Sequence, residues 1–248
     1  MKIGVVGIGH IGRTLALDLG RAGHDVKVAN SRGPETIDGA VLATGARAVT
    51  VQEAFQDVEA VILSVPMHRL IDLAPLVSSL PEDTVVIDTS NYFPGRDERI
   101  EVIEAGQVES LWVSAQLGRP VVKAWNAIGS GTLETKALLD GRPGRIALPI
   151  AAERLQDKQV VTELVQDTGL DPYDAGSLAD SWRFQPGAPA YCTSLTRDEL
   201  PAALDAADRS RLPHRRDIMV AAIAERMGDP KRNPDADFGT RLARLLFM

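Results

Sequence analysis

Residues 1–32, MKIGVVGIGHIGRTLALDLGRAGHDVKVANSR, contain a complete β-α-β unit. Lys2 to Val6 is a short apolar, β-branched run of the kind that makes a buried strand. It runs into Gly7-Ile8-Gly9-His10-Ile11-Gly12, a G-x-G-x-x-G turn. Leu15, Leu19 and Ala22 then recur at helical spacing, Gly23 stops the helix, and Val26 to Ala29 forms a second strand. The turn needs its glycines for separate reasons. Gly7 permits the tight bend, Gly9 keeps side-chain bulk away from a pyrophosphate, and Gly12 lets the helix pack closely on the strand. The helix N-terminus adds free N–H groups and a partial positive charge. A strand before the motif and a helix after it make this a dinucleotide-binding fingerprint.

The end of the second strand selects the cofactor. NAD binders place an Asp or Glu about 20 residues beyond the turn, where it accepts from the adenine ribose. Here that position reads Asn30-Ser31-Arg32, without a carboxylate. A guanidinium can hold a ribose phosphate through charge-assisted bonds, so NADP is the expected cofactor.

The remaining chain reads as alternating strands and helices. Strands are expected at Ala46–Thr50, Ala60–Val65, Thr84–Asp88, Val121–Ala124, Arg145–Pro149 and Asp171–Ala175. Short helices are expected at Pro34–Gly45 and Val51–Asp57. A longer one follows Pro66, with Leu70, Ile71, Ala74, Val77 and Leu80 on one face and a bend at Pro75. Further helices are expected at Val108–Leu117 and Ala152–Thr168, around a polar loop Thr89–Arg99. This alternation implies an α/β fold, a doubly wound and mostly parallel Rossmann sheet, over residues 1–185.

Residues 186–248 read as a helical extension packed on that domain or on a partner subunit. Its stripes are Leu200, Ala203, Leu204 and Ala207, then Ile218, Ala222, Ile223 and Met227. A polar break at 229–237 precedes Phe238, Leu242, Leu245 and Leu246.

In an open α/β sheet, ligands lie beyond the carboxyl ends of the strands. That rule nominates Gly7–Gly12, Asn30–Arg32, Ser64–His68, Thr89–Tyr92 and Ala124–Ile128. Ser64, Val65 and Pro66 are placed along the cofactor. His68 is either a phosphate or substrate contact or a solvated helix-start residue. His10 is assigned to the cofactor phosphate. Ser90 and Asn91 either bound the nicotinamide end or serve a turn, and Lys123 points to the sheet face or its rim. No nucleophile–base pair stands out, which suits hydride transfer between stacked flat rings better than covalent catalysis.

Composition narrows the remaining options. The chain has 248 residues, 44% hydrophobic, and a net charge of −7, which argues against nucleic acid as a general partner. No apolar run of about 18 residues appears, so no membrane span is expected, and the start reads as a strand rather than a signal peptide. One cysteine, Cys192, and four histidines without ligand spacing leave no metal site. The cysteine reads as a small buried residue.

The segments GIGHIG, VANSRGPE, LSVPMH, IDTSNYF and VVKAWNAIGSGTL, in that order, resemble the NADPH-dependent reductases of the deazaflavin coenzyme F420, over roughly Met1 to Trp182. The resemblance implies that NADP lies along Gly7 to Gly12, with Ser31 and Arg32 on its ribose phosphate. It implies Asn126 and Ile128 in a deazaflavin pocket, although some members have His where this chain has Asn126. It also implies a cytoplasmic homodimer moving hydride between NADPH and the deazaflavin, a small-molecule acceptor. Two other functions stay open. One is reduction of an imine, carbonyl or ordinary flavin, with Trp182 and Phe184 walling an apolar pocket. The other is a non-catalytic NADP sensor.

Overall fold

The computed structural model describes residues 1–137, 144–228 and 232–248. Six parallel strands form one sheet: β1 (Lys2–Val6), β2 (Asp25–Ala29), β3 (Arg47–Ala48), β4 (Ala60–Leu63), β5 (Val85–Asp88) and β6 (Val122–Lys123). Their spatial order is β3-β2-β1-β4-β5-β6. β1 pairs with β2 on one side and β4 on the other, so the winding reverses at β1. This is the doubly wound Rossmann arrangement, and its switch point opens a crevice at the ends of β1 and β4.

The strands are apolar on both faces because each face is covered. Ile3, Val5, Val28, Ile62 and Ile87 pack with Leu15 and Leu19 of the helix His10–Arg21 and with Val161 and Leu164 of the helix Leu155–Asp167. Val6, Val61, Leu63 and Val86 face the opposite layer, with Leu70, Val77, Trp112 and Val113. At Gly4 a Cβ would lie 2.0 Å from the carbonyl oxygen of Ala54, so the short helix Val51–Ala54 sits directly on the backbone of β1.

Several expected elements differ in extent. β3 is two residues long, and Pro34–Gly45 holds two 3-10 turns, Pro34–Thr36 and Gly39–Leu42, rather than one helix. The helix expected after Pro66 is a 3-10 segment, Met67–Leu73, followed by an α-helix, Ala74–Ser78. Pro75 falls in the first turn of that α-helix, where its missing N–H costs nothing. The expected loop Thr89–Arg99 contains one helical turn, Pro94–Asp97.

The last two strands correct the expectation of a single sheet. β7 (Ala147–Ile150) and β8 (Asp171–Asp174) pair with each other in parallel and form a separate two-stranded sheet. One antiparallel bridge, Lys123 to Ala151, is their link to β6. Pro149 and Pro172 lie within these strands, and proline cannot donate to a ladder, which confines both strands to edges.

Beyond Pro186 a run of turns leads to helices from Leu200 onward, and this part packs on the chain's own core. Phe184, Tyr191, Leu195, Leu200, Leu204, Leu212, Met219, Ala243 and Phe247 form one cluster with Ala127, Ala147 and Ala151. Leu200, Ala203 and Leu204 are buried as expected, but the buried faces of the two later helices are offset. The helix Leu212–Met227 buries Leu212, Arg216 and Met219, leaving Ile218 38% exposed. The helix Ala236–Phe247 buries Ala243 and Phe247, while Leu245 is 81% exposed. The first part of the polar break, 229–231, lies outside the described residues; Asn233 and Pro234 within it carry no helix, and its last two residues open the helix Ala236–Phe247. Among the described residues, no helix is long and apolar enough to cross a membrane, and no cluster of ligating side chains could hold a metal ion.

Phe247 is 1% exposed and packs beside Tyr191, ring centroids 6.4 Å apart. Phe247→Ala is expected to cost about 3 kcal/mol, the lower end for a buried aromatic, because the helix end can relax. Urea unfolding of the two proteins measures it.

Candidate active site

The crevice at the switch point consists of two clefts that share residues. The first, about 350 Å³, is lined by Gly7, Ile8, Gly9, Asn30, Ser31, Arg32, Ser64, Val65 and Pro66, with Arg69 beside them. The second, about 410 Å³, takes Gly9, His10, Ile11, Ser64, Val65, Pro66, Asn126 and Ile128. Gly9 and Ser64–Pro66 therefore form the seam between them. The ends of β1, β2 and β4 supply the first cleft, and those of β1, β4, β5 and β6 supply the second.

The turn after β1 has the geometry its glycines predicted. Gly7 has φ +93°, and a Cβ on it would lie 2.2 Å from the carbonyl oxygen of Ser64. A Cβ on Gly12 would lie 1.9 Å from the carbonyl oxygen of Gly7, so Gly12 sits behind the turn and lines neither cleft. Gly9, by contrast, faces open space with nothing within 4 Å of its Cβ position. It begins the helix His10–Arg21 without any side-chain cap, which leaves the first N–H groups for something outside the helix. His10 is exposed at that terminus.

Asn30 shapes its loop. Its Oδ1 accepts from the backbone N–H of Arg32 at 2.8 Å, and its Nδ2 donates to Thr36 Oγ1 at 2.9 Å. These bonds hold Ser31 and Arg32 exposed along the cleft. Arg69, at the same cleft, is already paired with Asp72 at 3.2 Å.

Besides Gly12, the candidate residues His68 and Trp182 also lie outside both clefts. His68 lines neither cleft; its Nδ1 is 3.0 Å from Oδ1 of Asp97, a fully buried carboxylate. Burial opposes ionisation of Asp97, but bonds from Arg96, His68 and the Phe93 N–H outweigh it and hold the carboxyl below its ordinary value. Trp182 stands in a small hollow with Arg209, whose guanidinium is 5.7 Å from the ring centroid, and does not wall the larger cleft. The helical segment Leu178–Phe184 turns Phe184 into the core instead.

Residues that sequence reasoning missed complete the second cleft. Phe93 and Arg96 come from the loop after β5, with the guanidinium 5.1 Å over the ring. Tyr191 and Cys192 come from the turn after Pro186, and Met219, Ile223, Pro234 and Thr240 from the C-terminal helices and the segment between them. The tail is fastened there by side chains. Thr240 Oγ1 is 2.9 Å from Ser194 Oγ, Arg244 donates to the carbonyls of Thr193 and Ser194, and Asn233 donates to Ser130 at 2.7 Å. Nothing periodic announces these residues; only the run Pro186-Gly187-Ala188-Pro189-Ala190-Tyr191, small residues before an aromatic, hints at a turn carrying one.

Buried charge supports the floor. Lys123 is fully buried, its Nζ 2.8 Å from Asp88 Oδ2 and also donating to the Ser90 carbonyl. That settles its orientation as structural and fixes the end of β5, where Asp88 Oδ1 also accepts from the Ser90 N–H at 2.8 Å. Two groups at the cleft, Tyr191 and Cys192, are held protonated. Burial raises Tyr191 well above its ordinary value and pushes the Cys192 thiol up to about 12. No thiolate nucleophile is therefore available at neutral pH.

Residues 2–92 match the family model NADP oxidoreductase, coenzyme F420-dependent. The Escherichia coli protein YjhV is 40% identical over 80 residues, 31% of this chain and 58% of that protein. Metalloreductase STEAP3 of Rattus norvegicus is 29% identical over 182 residues, 73% of this chain and 35% of its own. The chain thus spans only part of the length of these curated relatives. Among solved structures, a hypothetical protein of Sinorhizobium meliloti superposes with a TM-score of 0.65 at 28% identity, over 80% of this chain and 96% of the other. A protein of Arthrobacter sp. FB24, provisionally named an F420-dependent NADP-reductase, superposes with a TM-score of 0.57 at 16% identity over 95% and 98%, a likeness of fold alone. Residues 2–92 thus resemble NADP-dependent oxidoreductases in sequence.

Behind the floor, Glu109 is 3% exposed, and burial raises its pKa from 4.5 to about 7 despite the attraction of Lys123. A carboxyl whose folded pKa is raised adds stability when protonated. That stability is complete below pH 4.5 and lost as pH rises through about 7. Glu109→Gln should flatten the decline, as thermal unfolding at a series of pH values will read.

Proposed function

We propose that this chain is an NADPH-dependent reductase that passes hydride to a deazaflavin coenzyme. One observation carries the reading. Two clefts join at Gly9 and Ser64–Pro66, one ending at Ser31 and Arg32 and the other walled by apolar and amide side chains. The dinucleotide would place its ribose phosphate at Arg32, its pyrophosphate at the uncapped helix start beside Gly9, and its nicotinamide in the second cleft. Gly7, Ile8, His10, Ile11, Asn30, Ser64, Val65 and Pro66 line that path. The cofactor supplies the hydride. The protein's contribution is to hold two flat rings in register and to keep water out, which the apolar walls Ile128, Phe93, Met219 and Ile223 suit. The family resemblance that names the deazaflavin also supports a homodimer as the working unit.

A second reading has an observation of its own. Reduction of a carbonyl or imine needs a proton donor, and Tyr191 is a phenol that burial keeps protonated at the second cleft. Mixing protein, NADPH and oxidised deazaflavin should bleach the deazaflavin's visible band. Absence of bleaching, together with NADPH oxidation by an imine or carbonyl that Tyr191→Phe abolishes, would move the function to the second reading. NADPH binding without turnover on any acceptor would leave a sensor.

Arg32→Ala should weaken NADPH binding about tenfold or more and leave NADH affinity unchanged, the loss expected for a charge-assisted contact with one phosphate. Fluorescence titration of both nucleotides checks it; equal losses for both would remove Arg32 from phosphate recognition.

A further inference from the structure

Two buried side-chain oxygens at the second cleft, Asn126 Oδ1 and Ser90 Oγ, have no hydrogen-bond partner. Asn126 is 2% exposed and Ser90 5%, so neither is freely solvated. Buried polar groups are nearly always paired, and one left unpaired by the protein at a cleft is met by water or by a ligand atom.

The network fixes which atom of Asn126 is free. Asn91 Nδ2 donates to the Asn126 backbone carbonyl at 2.9 Å, and a carbonyl can only accept, so the Asn91 amide is oriented. Asn91 Oδ1 then accepts from Asn126 Nδ2 at 3.2 Å, and the Phe184 carbonyl accepts from the same nitrogen at 3.1 Å. Both Asn126 donors are used against acceptors, which leaves its oxygen as a held, unfilled acceptor. A flipped amide would set oxygen against two oxygens. Ser90, next to Asn91, has its N–H on Asp88 and its carbonyl on Lys123, which leaves its hydroxyl free to donate.

We infer that Asn126 and Ser90 read an amide-like edge on a flat ring. Asn126 Oδ1 accepts its N–H, and the Ser90 hydroxyl donates to its carbonyl. This rests on the proposed nicotinamide chemistry but goes beyond it, because it assigns the side chains that set ring orientation. Two ligand groups carry that edge: the carboxamide of nicotinamide and the imide of a deazaflavin or flavin. Recognition of this kind discriminates strongly, since an analogue without the N–H leaves the buried acceptor unpaired.

The test removes the N–H from one ligand at a time. In the 3-acetylpyridine analogue of NADPH a methyl group replaces the carboxamide nitrogen; in an N3-methylated deazaflavin the imide proton is gone. If the carboxamide is read, the wild-type protein should bind the acetylpyridine analogue about tenfold more weakly than NADPH, and Asn126→Leu should bind the two alike. If the imide is read, the N3-methylated acceptor should raise KM about tenfold in the wild type, with NADPH and its analogue equal. Both comparisons use the wild-type protein, so a misfolded variant does not blunt them. Equal behaviour of both analogues and their parents overturns the inference, while NADPH binding that still depends on Arg32 keeps the cofactor reading intact. Failure of the wild type to bind NADPH removes both.

Discussion

The close approach of the β1 turn to the end of β4 is the constraint on which the rest depends. Hydrogen atoms are the largest substituents that Gly7 and Gly12 can carry there, since a Cβ would meet the Ser64 carbonyl at the first and the Gly7 carbonyl at the second. Because the backbones meet, the helix His10–Arg21 starts against the sheet edge rather than above it. Gly9 then faces the crevice with uncapped N–H groups around it. A helix terminus in that state favours an anion. The pairing of β1 with both β2 and β4 makes this edge the place where the winding diverges. Backbone packing and anion preference are one arrangement.

The second cleft needs a floor as rigid as the first, and it is made of buried polar bonds. The Lys123–Asp88 pair is fully buried at both ends. Such a pair gives little net stability against an apolar alternative, yet removing one partner costs roughly 3 to 5 kcal/mol. Its effect is positional: it ties the end of β5 to β6 and orients the Asp88–Ser90 turn. Asn91 and Asn126 extend the same tie by exchanging bonds across these two strand ends. The opposite wall is of another kind, being Met219 and Ile223 on one helix and the Pro234–Thr240 segment held to the Ser194 turn by side chains.

How much of this was legible in the sequence follows from how local each signal is. The strand–turn–helix of residues 1–32 is encoded by neighbours, so β1, the helix and β2 fall within a residue or so of their expected bounds. The crevice followed from strand order alone, which is why most of the nominated turn, loop and strand-end residues converge. His68 and Trp182 did not, because each is claimed by a partner distant in sequence, Asp97 and Arg209. β7 and β8 read as two more sheet strands because they flank a helix in alternation, which does not reveal which sheet a strand joins; the antiparallel bridge at Ala151 and two in-strand prolines separate them. In the last two helices the periodicity was right but the phase was off, whereas Leu200, Ala203 and Leu204 are buried as expected. Long-range packing of Phe247 against Tyr191 chose the buried face, and a stripe of Leu residues could not show that.

That asymmetry bears on function. The residues matching the NADP oxidoreductase family, 2–92, contain the turn, the Ser31-Arg32 loop, Ser64–Pro66 and the Ser90-Asn91 end of β5. Tyr191, Met219, Ile223 and Thr240, which face whatever lies in the second cleft, come from beyond that match. Hydride donation asks little of a protein besides register and dryness, so the donor's half of a site can stay constant while the acceptor's half is rebuilt from other parts of the chain. A fold of this kind can therefore keep its cofactor while changing its acceptor. The amide pair Asn91–Asn126 is where the two parts of the chain meet, Asn91 lying within residues 2–92 and Asn126 beyond them.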